Sequence, residues 1–224
     1  MVSLVSVLVL ALDTATPAVT AGVVELTADT LTPRSERVVH DARQHAELLM
    51  PGVLAACADA GSALRDVDAI VTGTGPGPFT GLRVGMVTAA ALGDALEVPV
   101  HGVGSLDAIA YGRGPLLVVT DARRREVYWA AFDADGRRVD GPRVESPAVL
   151  RERIPRLGVS AAAGGCAAVT GLPVRGPAAP SPAGLVGVAA EALRAGTHPG
   201  PLVPLYLRRP DAAPPAARKR VITG

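Results

Sequence analysis

The chain has 224 residues, enough for one large domain or two small ones around a real core. With 49% apolar and 19% charged residues it is expected to fold. A formal net charge of +1 excludes a domain built mainly to grip a polyanion, and 3% aromatic residues are too few for a base-stacking RNA platform.

Residues 5–12 form a near-continuous apolar run, as in a central strand covered on both faces. The run lacks a basic leader and Asp13 cuts it short, so a strand is read in place of a signal peptide. After a turn at 14–17, residues 19–26 read as a returning strand and 34–40 as a third. Residues 45–60 read as the first long helix; if it begins well before Pro51, it has to kink there. A strand at 68–72, a second long helix at 80–96 and a short strand at 98–103 complete a β-β-β-α-β-α-β half.

The second half is looser. A short helix at 105–111 precedes paired strands at 115–121 and 126–132, with a further strand at 137–145 after the Asp135-Gly136 turn. Ser146 and Pro147 cap a helix over 146–156. A strand at 159–165, a Pro-rich loop at 173–182 and an Ala/Leu helix at 183–195 follow. Both halves open with three strands, which suggests a duplicated fold: an N-terminal domain at 1–103 and a C-terminal one at 104–209. The composition of 210–224 favours a disordered tail that carries the basic cluster Arg218-Lys219-Arg220; the other dense basic cluster is Arg123-Arg124-Arg125.

The densest signal is Gly73-Thr74-Gly75-Pro76-Gly77-Pro78-Phe79-Thr80-Gly81-Leu82-Arg83-Val84-Gly85. A Gly-rich loop between strand and helix suggests phosphate binding. A P-loop also needs a terminal Gly-Lys-Ser/Thr, absent here, and Pro76 and Pro78 remove two amide donors. A rigid structural connection is the alternative. Asp13 and Asp121 each end the first strand of a half, where a carboxylate can meet Mg–phosphate; neither turn has the glycines of a phosphate cradle, so turn capping competes. Asp13, Thr14, Gly75, Gly77, Thr80, Asp121 and Arg123 are therefore candidates for a weak nucleotide or anion contact. No two of His40, His45, His101 and His198 lie at i,i+3 or i,i+4, and Cys57 and Cys166 have no ligand spacing, so no metal and no disulfide are expected. No run reaches the ~18 apolar residues of a membrane span. The chain reads as soluble and cytoplasmic.

The two long helices are apolar nearly all round. An outer helix of a small domain should be amphipathic. One side can cover the sheet; the other needs a partner, unless the second half of the chain covers it. His45, Leu48, Leu49, Val53 and Ala56 on the first helix, with Gly81, Leu82, Gly85, Met86, Ala89 and Leu92 on the second, are the candidate interface residues. Gly81, Gly85 and Ala89 at four-residue spacing would admit close helix approach.

These segments together resemble the TsaB (YeaZ) family of the bacterial tRNA threonylcarbamoyladenosine pathway. The resemblance is carried by Leu10-Ala11-Leu12-Asp13-Thr14-Ala15-Thr16, His45-Ala46-Glu47-Leu48-Leu49-Met50-Pro51, the Gly/Pro–Phe-Thr-Gly–Arg segment at 75–85, Asp121-Ala122-Arg123 with Glu126-Val127-Tyr128, and Pro204-Leu205-Tyr206-Leu207-Arg208. It covers residues 5–135 well and the rest thinly.

The resemblance implies an α/β actin-like ATPase (sugar kinase/Hsp70) fold of two related β-β-β-α-β-α domains, the second reduced. It implies a non-catalytic partner of TsaD, the paralogue that transfers threonylcarbamoyl to adenosine 37 of ANN-decoding tRNAs, with the ATPase TsaE joining the complex and TsaC supplying the threonylcarbamoyl-adenylate. Other implications are a homodimer in the partner's absence, tRNA met only through the complex, no cofactor of its own, and ATP or ADP at the joint interface. The paralogue's two-histidine metal motif is reduced here to His45. Pro78 stands where the family usually has Ser, which weakens a direct nucleotide role for the loop. A small-molecule kinase on the same fold, motivated by Asp13 and Asp121, is the alternative; a metallopeptidase fails for want of ligands.

Overall fold

A computed structural model describes residues 6–41 and 44–208. Val5 of the opening run and the tail expected at 210–224 lie outside the described residues. The first sheet holds β1 (Val7–Asp13), β2 (Ala18–Leu26), β3 (Leu31–His40), β4 (Ala69–Gly73) and β5 (Val100–Val103), ordered β3-β2-β1-β4-β5. β1 to β3 form an antiparallel meander, whereas β4 runs parallel to β1 and β5 parallel to β4. Parallel neighbours need long crossovers, and the two long helices supply them: α1 (His45–Asp59) and α2 (Phe79–Leu96). α1 runs on through Pro51 as one helix. Pro33 is tolerated because β3 is an edge strand.

β1 lies inside the sheet with both faces covered, so Val9, Leu10, Ala11 and Leu12 are all fully buried. On one face Leu10, Leu12, Val19, Ala21 and Ile70 pack with Leu49 and Val53 of α1 and Ala89 of α2. On the other, Val9, Ala11, Val24 and Val71 pack with Leu185, Val186 and Ala189 of a C-terminal helix, Pro182–Arg194. That helix, grouped by the sequence with the second half, in fact closes the first sheet.

The second sheet repeats the first without its last strand. β6 (Leu116–Asp121), β7 (Val127–Phe132), β8 (Arg138–Glu145) and β9 (Ala162–Ala163) are ordered β8-β7-β6-β9. A short helix α3 (Ser105–Ala110) is shared by both sheets. Its Ala108 packs with the first core, while Leu106 and Ile109 join Leu116, Val118 and Phe132 of the second. Over the opposite face of this sheet lies Leu150 of α4 (Pro147–Arg153), against Leu117, Val119 and Trp129. Ser146 caps α4 as expected, its Oγ accepting from the Val149 amide at 3.4 Å. The same device starts α5 (Pro182–Arg194): Ser181 Oγ accepts from the Gly184 amide at 3.0 Å. The strand expected at 159–165 shrinks to the two residues of β9.

Cys57 is a buried free thiol and Cys166 a half-buried one. Among the described residues no helix is long and apolar enough to cross a membrane.

Candidate functional site

The Gly/Pro segment, the turn after β1 and the start of α2 meet at the carboxyl ends of β1 and β4. Thr14 ties them together: its Oγ1 donates to the Gly81 carbonyl at 2.7 Å and accepts from the Gly85 amide at 2.8 Å. A Cβ at Gly85 would stand 2.5 Å from Thr14 Oγ1, and one at Gly77 would collide with the Ala15 carbonyl. The glycine spacing therefore admits the chain's own β1–β2 turn, which occupies the space that a cradled phosphate would need.

Gly77 is closed to an anion by that turn, and Gly75 by a hydrogen bond of its own. The Gly75 amide donates to Ser105 Oγ at 3.2 Å, and Gly77 lies against Ala15. Asp13 is unavailable as well. Its carboxylate is fully buried, accepting from Ser105 Oγ at 2.5 Å and from the Ala15 amide at 2.9 Å. Burial pushes its pKa up to about 6, against the lowering effect of those hydrogen bonds and of His45. A carboxylate sealed in this way cannot hold Mg–phosphate, so the kinase reading loses its first acid. Asp121 caps its own turn, accepting from the Arg123 amide at 2.9 Å, with the Arg123 side chain 3.6 Å away.

Thr14, Gly81, Thr80 and Arg123 do come together, with His45, around a small cavity of about 270 Å³. His45 is buried, and its Nε2 donates to the Thr16 carbonyl at 2.9 Å, since a carbonyl can only accept. Arg123 belongs to a turn in which Arg123, Arg124 and Arg125 all have left-handed backbone, φ 63°, 50° and 63°. Arg208 braces that turn. Its guanidinium donates to the Ala122 carbonyl at 2.7 Å and pairs with Glu126 at 3.1 Å. Two residues earlier, Tyr206 packs by Leu82 and Met86 with its ring 5.0 Å from that of Phe79. The closing segment thus joins the start of α2 to the second sheet. The Pro204–Arg208 motif does not by itself show this role, because the partners of these residues lie far away in the chain.

The helix faces divide differently from the expected interface. Leu49, Val53 and Ala56 of α1, with Leu82, Gly85, Met86 and Ala89 of α2, are buried inside the chain. They cover the sheet or the β1–β2 turn and are unavailable to a partner. Leu48 and Leu92 are half-buried at the edge of the same core, and Gly81 faces Thr14. The outward faces carry other apolar residues: Leu54 is 54% exposed and Val87 64%, with Pro51 and Ala58 on α1 and Ala91 and Ala95 on α2 also exposed. Their signal was the all-round apolarity itself; the periodicity could not say which residues face out.

Among the described residues no three His, Cys, Asp or Glu side chains gather as a metal site would require. Residues 39–152 match the family model described as TsaD, tRNA N6-adenosine threonylcarbamoyltransferase. An uncharacterized Mycobacterium tuberculosis protein is 57% identical over 207 residues, 92% of this chain and 94% of its own length. The Escherichia coli tRNA threonylcarbamoyladenosine biosynthesis protein TsaB is 34% identical over 125 residues, 51% of this chain and 54% of its own. A Pseudomonas aeruginosa crystal structure described as similar to peptidase YeaZ superposes with a TM-score of 0.70 at 30% identity, over 90% of this chain and all of that one. The chain belongs to the TsaB (YeaZ) family. YeaZ from Pseudomonas aeruginosa, at 29% identity, gives a TM-score of 0.67 over the same shares of the two chains. The TsaB resemblance first drawn from scattered motifs thus extends over a common mixed α/β structure with two sheets.

Proposed function

We propose that this chain acts in threonylcarbamoylation of adenosine 37 in ANN-decoding tRNAs, as a non-catalytic partner of the TsaD transferase in the cytoplasm. One observation carries the reading: the outward faces of α1 and α2 present Leu54 and Val87 to solvent beside exposed alanines and Pro51. Such a face favours a helical partner surface, because paired helices exclude water from both. The repeated strand order supports two related actin-like domains, the second reduced. On this reading TsaD packs on α1 and α2, TsaE joins the pair, and tRNA is met only through the complex. ATP or ADP belongs at the joint face, near the cavity lined by Thr80 and Arg123. Alone, the chain pairs with a second copy through the same helices.

Leu54→Arg with Val87→Arg is expected to leave the melting temperature nearly unchanged, since both sites are exposed. In a titration with the TsaD paralogue it is expected to weaken pairing about thirtyfold or more, the effect of roughly 2 kcal/mol at a central contact. A strain depleted of the chain is expected to lose the modified base, and the double variant not to restore it. Unchanged affinity would overturn the interface, and full modification in the depleted strain would overturn the pathway role. Mg-ATP turnover by the isolated chain would favour the kinase.

A further inference from the structure

A second cavity, of about 670 Å³, opens at the other end of the first sheet, where β1, β4 and β5 begin. Its size is that of small-molecule sites in general. The walls come from the last turn of α2, the starts of the three strands and the end of α5. Ala69 and Leu193 supply apolar wall.

Two observations mark it as a site. The first is His101, which lines the cavity, is 7% exposed and has no hydrogen-bond partner among the described residues. Its ring nitrogens are not among the sealed, unpartnered atoms of the described fold, so the imidazole is open to a molecule in the cavity. The second is the end of α2. Asp94 lies in its last turn and Glu97 at its cap, in left-handed backbone at φ 57°, and the last turn has no basic residue. Two carboxylates thus stand at the negative pole of an 18-residue helix, where cations are the favoured neighbours. Neither has an ion-pair partner among the described residues, and no Lys or Arg lines the cavity. The third carboxylate, Asp68, is already engaged by the Leu8 amide at 2.7 Å.

We propose that this cavity binds a small organic cation, an ammonium or guanidinium on an aliphatic stem. Asp94 and Glu97 receive the cation, Ala69 and Leu193 line the stem, and the ring of His101 takes a second polar group. This site lies at the C-terminal end of α2, beside Ala91 and Ala95 of its outward face, and does not depend on the partner reading.

The test is a titration of the full chain with agmatine, putrescine and glutarate, read by the imidazole resonances of His101. Agmatine or putrescine is expected to shift them with a Kd below about 1 mM. A preference for agmatine would identify guanidinium as the head group; a preference for putrescine would identify ammonium. Asp94→Asn with Glu97→Gln is expected to weaken binding roughly tenfold or more without lowering the melting temperature, because both side chains are exposed and the change relieves the helix dipole. No shift at about 10 mM of either cation, an equal response to glutarate, or unchanged affinity in the double variant would overturn the proposal. So would contacts between His101 and the chain's own first five residues in the unliganded protein.

Discussion

Asp13→Asn is expected to raise the stability of the chain at pH 7.5 by up to about 3 kcal/mol while leaving it nearly unchanged at pH 4. The carboxyl of Asp13 is fully buried, and its pKa rises from 3.8 to about 6 on folding. A raised pKa means that the folded state holds the proton more tightly than the unfolded one. The contribution is therefore fully present below pH 3.8 and is lost as pH rises through about 6. Asn reproduces the neutral carboxyl: its oxygen can accept from the Ala15 amide and its amide can donate to Ser105 Oγ. At about 2–4 °C per kcal/mol for a chain of this size, the variant should melt some 6–12 °C higher at pH 7.5. Asp107 has a pKa raised by burial, opposed by Arg138, and slopes the same way. The difference between parent and variant isolates Asp13. Thermal melts from pH 4 to pH 8 are the measurement. A variant that melts lower than the parent at pH 7.5 would show that the charged carboxylate stabilises the fold.

Gly85→Leu is expected to destabilise the isolated chain by roughly 3–5 kcal/mol, through overpacking and loss of a buried hydrogen bond. The added Cβ alone would stand 2.5 Å from Thr14 Oγ1 and 3.6 Å from Leu12 Cδ1. Moving Thr14 aside breaks its bond from the Gly85 amide and strains its bond to the Gly81 carbonyl. Sequence periodicity alone would predict that a bulky residue here spares the fold and blocks pairing. With Gly85 buried under the β1–β2 turn, the fold itself should suffer, and any lost pairing would follow from unfolding. Leu54→Arg with Val87→Arg provides the contrast, losing the partner while keeping its melting temperature. Equal melting temperatures for Gly85→Leu and the parent would place Gly85 on the surface after all.

Element order was readable because its signals are local. The apolar run ending at Asp13, the Asp135-Gly136 turn and Ser146-Pro147 each announce a boundary within a few residues. The observed strands and long helices begin and end within a few positions of those readings. The candidate site was less readable. Thr80, Arg123 and His45 do converge on one cavity, but nothing local ties Ser105, Tyr206 and Arg208 to it, since they lie 92, 127 and 82 positions along the chain from partners such as Asp13, Phe79 and Glu126.

The sequence by itself determined that two apolar helices flank a Gly/Pro loop and that one side of each exceeds what a sheet needs. It could not choose the side. With apolar residues nearly all round, neither helix has a polar stripe to exclude one face from the core, so no period distinguishes Leu49 from Leu54 or Met86 from Val87. Tertiary structure made that choice. Thr14, 71 positions before Gly85, demands a surface without side chains, and only the glycine stripe of α2 offers one. Turning that stripe inward leaves Val87 facing solvent; packing Leu49 and Val53 on the sheet does the same for Leu54.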